Sequence, residues 1–571
     1  MEHFIAGKDA SLEHSVGVMQ GKLAALGFQI EERSWLHPLK SVWSVHLRDR
    51  DCPLLFTNGK GASKLAALAS ALGEFFERLS CNYFWNHYYF GAEIAGRAYV
   101  HDPRERWFAL PDDDVWPVDL LTPELQAFYN PEGSVGATSL VDLNSGAIER
   151  GICALPFTRQ RDGREIWFPV NILANLYVSN GMAAGNTPHE ARAQALAEIL
   201  ERHVKFRVIG EGLCLPDLPE VVIARSPNSV AGIAELRAAG FGVLVKDASL
   251  GGHFPVINVT LLNPHDQGCF ASFGAHPRLE VALERALTEL LQGRALDALK
   301  GFPSPSFDLD EVASPHNLES HFVDSDGLLH WNFFAESPDF AFVDWDSGNT
   351  TTTEDETWLV DRIQAEGGDI YLAEFTHAGV YACRIVVPGV SEIYPVDELE
   401  WENNSVGNAL RPAILNLEEL DDEACFELLD KLGALDIANE KRVSEVIGLA
   451  ADEGSIWADL RVGELKLLLA LACSEDEAID EACDWVQHFE QIAIERRRIY
   501  DCLRNLRQLG DPERFAGVLN SLYGKETLVH AKGLLTEELR FFGISSPGLQ
   551  LEGCELHQRL LAAYARVRSW P

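Results

Sequence analysis

The pattern E-x-x-E-R occurs twice, as Glu74-Phe75-Phe76-Glu77-Arg78 and as Glu198-Ile199-Leu200-Glu201-Arg202, and no other feature limits the fold of this chain as strongly. On a helix, residues three and four apart share a face, so each copy sets two carboxylates and a guanidinium on one stripe. Like charges at that spacing cost about 0.2 to 0.5 kcal/mol per pair on an exposed helix and more once desolvated. A buried version therefore requires a cation, and a divalent metal ion is the obvious one. A single copy is ordinarily a solvated helix face with an i,i+4 ion pair. Two copies in matched surroundings point instead to a shared cleft.

The surroundings do match. Before the first copy, residues 53–56 lead into a turn at Thr57-Asn58-Gly59-Lys60-Gly61, and a helix over 62–80 follows, with Leu65, Leu68, Leu72, Phe75, Phe76 and Leu79 on one stripe. Before the second, residues 171–178 read as a strand and 179–186 as a glycine-containing turn. A helix starts at Thr187 and carries Glu190, Gln194, Glu198, Glu201 and Arg202 on one sector, opposite Leu196, Ile199, Leu200 and Val204. A third unit has a strand over 269–273, a turn over 274–277, and a helix with Arg285 and Glu289 four apart. The chain contains no G-x-x-x-x-G-K-[ST] loop. Glu74 lies about 20 Å along its helix from Gly61, so the carboxylates act in mid-helix and not as an N-terminal phosphate nest. A di-iron bundle needs Glu-x-x-His pairs on helices, and Glu374 with His377 begins in a strand-like stretch. Helical glutamates with arginines between them suit two or more Mg²⁺ ions bridging a polyphosphate.

Elsewhere the first helix begins at an Asp9 or Ser11 cap, repeats Leu12, Val16, Met19, Leu23 and Leu26, and stops at Gly27. Strands are expected over 41–47, 241–246, 256–261, 370–375 and 381–387, and an irregular excursion over 303–356 with a mobile part at 347–351. Past residue 405 the pattern is of amphipathic helices alone, as in 463–473, 478–498 and 556–568. These changes of pattern give a mixed α/β domain over 1–405 and an all-helical, repeat-like domain over 406–571. A net charge of −40, from 47 basic and 87 acidic residues, argues against nucleic acid or an anionic membrane as partner. No apolar run approaches a membrane span, and the scattered cysteines form no C-x-x-C, so a soluble protein of a reducing cytoplasm is expected. His253, His276 and His377 are read as structural or exposed.

With these motifs in hand, residues 1–405 resemble the YcaO family of ATP-utilising enzymes. Gly59-Lys60-Gly61 followed by Glu74, Glu77 and Arg78 looks like its first nucleotide motif, with Ala71 where Ser is common. Ser179-Asn180-Gly181 and Gly185-Asn186 with Glu190, Glu198, Glu201 and Arg202 look like the second, and Arg285, Glu289, Gln292 and Arg294 like the third. The resemblance implies that Glu74, Glu77, Glu190, Glu198, Glu201 and Glu289 share two or more Mg²⁺ ions. It also implies that Lys8, Ser15, Glu74, Arg78, Asn186, Arg202 and Arg285 contact ATP. The family's chemistry phosphorylates an amide oxygen, which makes it a good leaving group. Azoline-forming members end in a Pro-rich tail, whereas this sequence ends Arg568-Ser569-Trp570-Pro571, which speaks against peptide cyclodehydration. The helical half is similar to that of the stand-alone members, whose TPR-like C-terminal domain helps them to dimerise and which assist a radical methylthiotransferase in β-methylthiolating an aspartate of a small-subunit ribosomal protein. That accessory role is the leading expectation, ahead of a peptide cyclodehydratase, a thioamide synthase or a non-catalytic ATP-binding adaptor. Turnover stimulated by a protein partner separates an enzyme from an adaptor.

Overall fold

A computed structural model describes residues 2–568; Ser569, Trp570 and Pro571 of the expected chain end lie outside them. Three antiparallel sheets and the helices between them form a mixed α/β assembly, and helices alone follow from Glu398 onward, with no strand among the described residues there. Among the described residues no helix is long and apolar enough to cross a membrane.

The three strand–helix units form, and one contact recurs in each. Strand Phe56–Gly61 runs into helix Lys64–Ser80, strand Met182–Gly185 into helix Pro188–Gly210, and strand Cys269–Ala275 into helix Leu279–Leu290. In each, a strand glycine meets small residues of the helix that follows. A Cβ on Gly59 would lie 2.1 Å from the Ala67 carbonyl oxygen, one on Gly185 3.0 Å from the Ala191 nitrogen, and one on Gly274 2.4 Å from the Ala286 nitrogen. Backbone on backbone, each helix is drawn onto its strand. We expect Gly274→Ala to cost about 3 kcal/mol or more, since neither partner is a flexible side chain that could move aside; a urea midpoint unchanged from wild type would contradict this packing.

The same glycines explain where the sequence reading fails. Residues 57–61, expected as a turn, are a strand whose register pairs Gly59 with Val45 and Gly61 with Trp43; the glycines serve the close helix approach, not chain reversal. Residues 171–178, expected as a strand, are helical: Val170–Ile172 continues as a π-helical turn over Leu173–Tyr177, and the strand comes later, at Met182–Gly185. Apart from Asn171 and Asn175 that run is apolar, and nearly all of it is buried, so periodicity could not separate helix from strand. A strand over Ile30–Leu39 went unpredicted. The excursion over 303–356 contains helix Pro315–Val323 and the first turns of helix Thr352–Ala365. Its expected mobile part is tied down: the Ser347 amide donates to the Pro277 carbonyl at 3.1 Å, and Thr351 forms a capping box with Glu354. Residues 478–498, expected as one helix, divide into Asp476–His488 and Ile494–Gln508, with Phe489 leaving the helix to stack on Trp485 at 4.9 Å.

The core around helix Lys64–Ser80 includes Phe75 and Phe76, which flank Glu74 and Glu77 in sequence, and it also takes Leu560, Ala563 and Tyr564 from helix Glu555–Val567 at the far end of the chain. Tyr564 stacks on Phe90 at 4.3 Å and meets Trp85 edge-on at 4.9 Å, and the Trp85 indole donates to the Leu560 carbonyl at 3.2 Å. The last helix therefore completes the core of the first half, while the helices before it share a core of their own, with Leu465, Leu468 and Leu503 at its centre.

Candidate functional site

The three charged helices wall one cavity of about 2100 Å³, closed on a further side by residues 2–19. On helix Pro188–Gly210 the apolar residues Leu196, Ile199, Leu200 and Val204 are buried in the core, and Glu190, Gln194, Glu198, Glu201, Arg202 and Lys205 face the cavity. Glu74, Glu77 and Arg78 face it from helix Lys64–Ser80, and Arg285 and Glu289 from helix Leu279–Leu290. Every residue singled out from the sequence for ATP or Mg²⁺ lines this one space.

Their partners differ in kind. Glu74 pairs with Arg78, and Glu198 with Arg202 at 3.0 Å, both i,i+4. Glu201 accepts from the Ala275 amide at 2.9 Å while Arg285 donates to the Ala275 carbonyl at 2.9 Å, so the end of the third strand fixes both side chains. Arg285 also donates to Gln194. Glu289 pairs with Lys60. Glu77 has neither an ion pair nor a hydrogen bond among the described residues, and burial together with Glu198 and Glu74 holds its carboxyl well above the usual range. Burial raises Glu74 and Glu201 too. Four carboxylates are thus gathered against their own repulsion.

Glu190 is a different case. Only 3% exposed, it accepts from the Asn186 amide at 2.9 and 3.1 Å and from the Asp9 backbone at 2.9 Å, and pairs with Lys8 at 3.3 Å. Ser15 donates to Asn186 at 2.9 Å. Lys8, Ser15, Asn186 and Glu190 therefore form one hydrogen-bonded cluster in which Glu190 orients the other three. Asp9, offered from sequence as a helix cap, instead accepts from Thr187 and Thr352 at the starts of two helices and straps the N-terminal segment across the cavity; Ser11 caps the first helix.

Lys60 and Lys205 carried no assigned role in the sequence reading. Lys60 follows Gly59 on its strand, and Glu201, Glu74 and Glu198 all act on its ammonium. Lys205 lies one turn beyond Glu201 on the charged face, a spacing that could have flagged it. The histidines His253, His276 and His377 do not line the cavity. His276 is buried and held well below its usual range by burial and Arg285, and His377 is drawn down to about 4 by burial and Arg568.

The donors fit Mg²⁺ and a polyphosphate: the anionic groups are carboxylate oxygens, as a hard cation requires, and at Glu77 the like charges of Glu198 and Glu74 outweigh the nearby Arg78 and Arg202, neither of which forms an ion pair with it. Among the described residues no three such side chains already surround one point at ligating distance. The carboxylates of Glu74, Glu198 and Glu289 would exchange their present ion pairs on binding metal.

Residues 58–391 match the family model described as YcaO cyclodehydratase, ATP- and Mg²⁺-binding, and residues 407–570 match that of the YcaO cyclodehydratase C-terminal domain. The ribosomal protein S12 methylthiotransferase accessory factor YcaO of Escherichia coli (strain K12) is 47% identical over 99% of this chain and 98% of its own. A Haemophilus influenzae protein is 46% identical over the same shares. Among solved structures, YcaO from Methanopyrus kandleri bound with AMPPCP and Mg²⁺ aligns at a TM-score of 0.40 and 18% identity over 66% of this chain and 91% of that one. A heterocyclase in complex with substrate and cofactor aligns at 0.44 and 17%, over 68% and 55%.

Proposed function

This chain belongs to the YcaO family, and from that premise we propose that it binds ATP with Mg²⁺ in the three-helix cavity and acts as an accessory factor for β-methylthiolation of an aspartate in ribosomal protein S12. The observation that carries the site is the convergence of both E-x-x-E-R stripes on one cavity, with the Glu77 carboxylate in no ion pair among the described residues and set against Glu198 and Glu74. The accessory role rests on a relative 47% identical over 98% of its length.

In this reading Glu74, Glu77, Glu198 and Glu201 hold the Mg²⁺ ions, with Glu289 exchanging Lys60 for metal and Glu190 serving the site through Lys8 and Asn186. Lys8, Ser15, Asn186 and Arg285 hold the nucleotide, and Arg78 and Arg202, released from their glutamates, meet phosphate oxygens with bidentate forks. Bound Mg²⁺ neutralises the phosphate oxygens and stabilises charge during transfer. An amide or carboxylate oxygen of the acceptor would bond to the terminal phosphorus as the bond to the bridging oxygen breaks and ADP leaves; an amide acceptor would also give up its N–H proton to solvent water. Residues 1–405, whose core is completed by helix Glu555–Val567, form the ATP-binding domain, and the rest of 406–571 the partner-binding domain. The exposed Phe515, Val518, Leu522 and Val529 of the latter suit a homodimer contact or docking of the radical methylthiotransferase. A cytoplasmic setting and the absence of nucleic-acid or membrane partners accord with the charge of −40.

The test is made in cells lacking this chain, by mass spectrometry of S12. The methylthio mark is expected to fall at least about tenfold, a change in modification flux that corresponds to some 1.4 kcal/mol, and to return with wild type but not with Glu201→Gln. A mark that is unchanged by the deletion rules out the accessory role; one restored by Glu201→Gln leaves only a non-catalytic adaptor.

A further inference from the structure

The cavity follows helix Pro188–Gly210 from Glu190 to Lys205, about 22 Å at the rise of an α-helix. Small-molecule sites usually measure some 300 to 1,000 Å³, so a cavity of about 2100 Å³ holds more than a nucleotide. Its two ends are unlike. At the Glu190 end, Lys8, Ser15 and Asn186 form the cluster described above, and Val18 follows Ser15 by three residues on the first helix. Glu198 and Glu201 occupy the middle. Beyond them stand Lys205, Phe206, Phe322, Val323 and Ser325.

Two cations at that far end, Lys205 and Arg294, are already committed. Lys205, 8% exposed, donates to the His321 carbonyl and, at 2.8 Å, to the Ser325 hydroxyl, capping the end of helix Pro315–Val323. Arg294 donates to the Asp324 carbonyl at 2.8 Å, and the Arg202 guanidinium lies over the Phe322 ring at 4.4 Å. These contacts fix residues 321–325 as a wall and leave Lys205 and Arg294 little freedom to grip phosphate. Val323 stands out of that wall, 63% exposed, and lines the cavity, as do Phe206 and Asp324. The far end thus presents the apolar Val323, Phe322 and Phe206 with the exposed Asp324 beside them, is joined directly to the carboxylate centre, and is not needed for the nucleotide.

We propose that this far end, with Val323, Phe322 and Phe206 as its contact surface, receives the acceptor polypeptide and brings its oxygen to the terminal phosphate of ATP held at the carboxylates. The proposal rests on the ATP reading above. The reaction that follows is the transfer already described: the acceptor oxygen gains the phosphoryl group and ADP departs toward the Glu190 end.

Val323→Cys in the full chain, coupled to a photoactivatable maleimide, tests it, with Val18→Cys (39% exposed on the opposite cavity wall) as the control. Two measurements are made: the affinity of each labelled protein for a non-hydrolysable ATP analogue with Mg²⁺, and cross-linking to purified ribosomal protein S12. With Val323→Cys labelled, nucleotide affinity stays within about twofold of wild type, a difference of some 0.4 kcal/mol, and S12 cross-links in the presence of nucleotide. With Val18→Cys labelled, nucleotide affinity falls at least about tenfold and S12 does not cross-link. Loss of nucleotide affinity on labelling position 323 means that the nucleotide fills the far end, and no cross-link from position 323 means that the acceptor binds elsewhere; either overturns the proposal and leaves the ATP site standing. Failure of unlabelled wild type to bind nucleotide removes the ATP reading itself, and this proposal with it.

Discussion

Replacing Glu77 by Gln raises the melting temperature of the metal-free protein by about 1 °C, the effect of roughly 1 kcal/mol in a domain of about 400 residues, and weakens Mg²⁺-dependent ATP binding at least about 100-fold, as loss of a direct carboxylate ligand should. The opposite signs are the point. A residue that only packs the cavity wall loses stability and binding together when it is changed. Glu77 instead forms no ion pair or hydrogen bond among the described residues, and Glu198 and Glu74 act on it more strongly than Arg78 and Arg202 do, so neutralising it relieves net repulsion in the empty site and removes a ligand from the filled one. The pH dependence follows from the direction of the shift. The Glu77 carboxyl is raised in the folded protein from an ordinary value of 4.5, so the folded state binds more protons than the unfolded state above that value, and stability falls as pH rises through the interval up to the raised value. Measured in a chelator, the advantage of Glu77→Gln over wild type is therefore small below pH 4.5 and grows toward neutrality. A variant less stable than wild type at pH 7 contradicts the like-charge account.

The second large effect is remote from the cavity in sequence. Leu560→Ala removes a fully buried side chain of helix Glu555–Val567 and should cost about 2 to 5 kcal/mol. Because Leu560 shares a core with Phe75 and Phe76, the loss falls on the helix that carries Glu74 and Glu77, and ATP affinity drops along with the denaturation midpoint. Leu503→Ala is the comparison. Equally buried, but in the core of the preceding helices, it destabilises that half and leaves ATP binding near wild type. If the two variants bind ATP equally well, the last helix is not part of the ATP-binding core.

That helix also marks where reading the sequence stops. Its apolar spacing was plain, and its bounds nearly so, but an amphipathic stripe says that a face is buried and not against what; only the assembled core joins Tyr564 to Phe90 and Trp85. The charged faces were legible for a related reason. A helix of fixed pitch places Glu190, Gln194, Glu198 and Glu201 together whatever surrounds it, and the structure puts them on one wall. What those residues touch was not legible: that Glu190 serves Lys8 and Asn186 depends on the path of the N-terminal segment. The same limit misassigned residues 57–61, where glycine signals a turn on local grounds but here admits Ala67 and Ala71 to the strand. Lys60 was passed over with it, since a lysine in a turn is ordinarily solvated, whereas on the strand Phe56–Gly61 it faces Glu289.

The most direct test of the account is calorimetric titration of ATP into wild type and Glu201→Gln, each with and without Mg²⁺. Glu201 is fixed by the Ala275 amide, so the substitution alters charge at a held position. Binding by wild type that requires Mg²⁺, and its loss in Glu201→Gln, is the predicted result. Binding of equal strength in the variant, or in wild type without Mg²⁺, would contradict the carboxylate cavity as the seat of the metal-bound nucleotide.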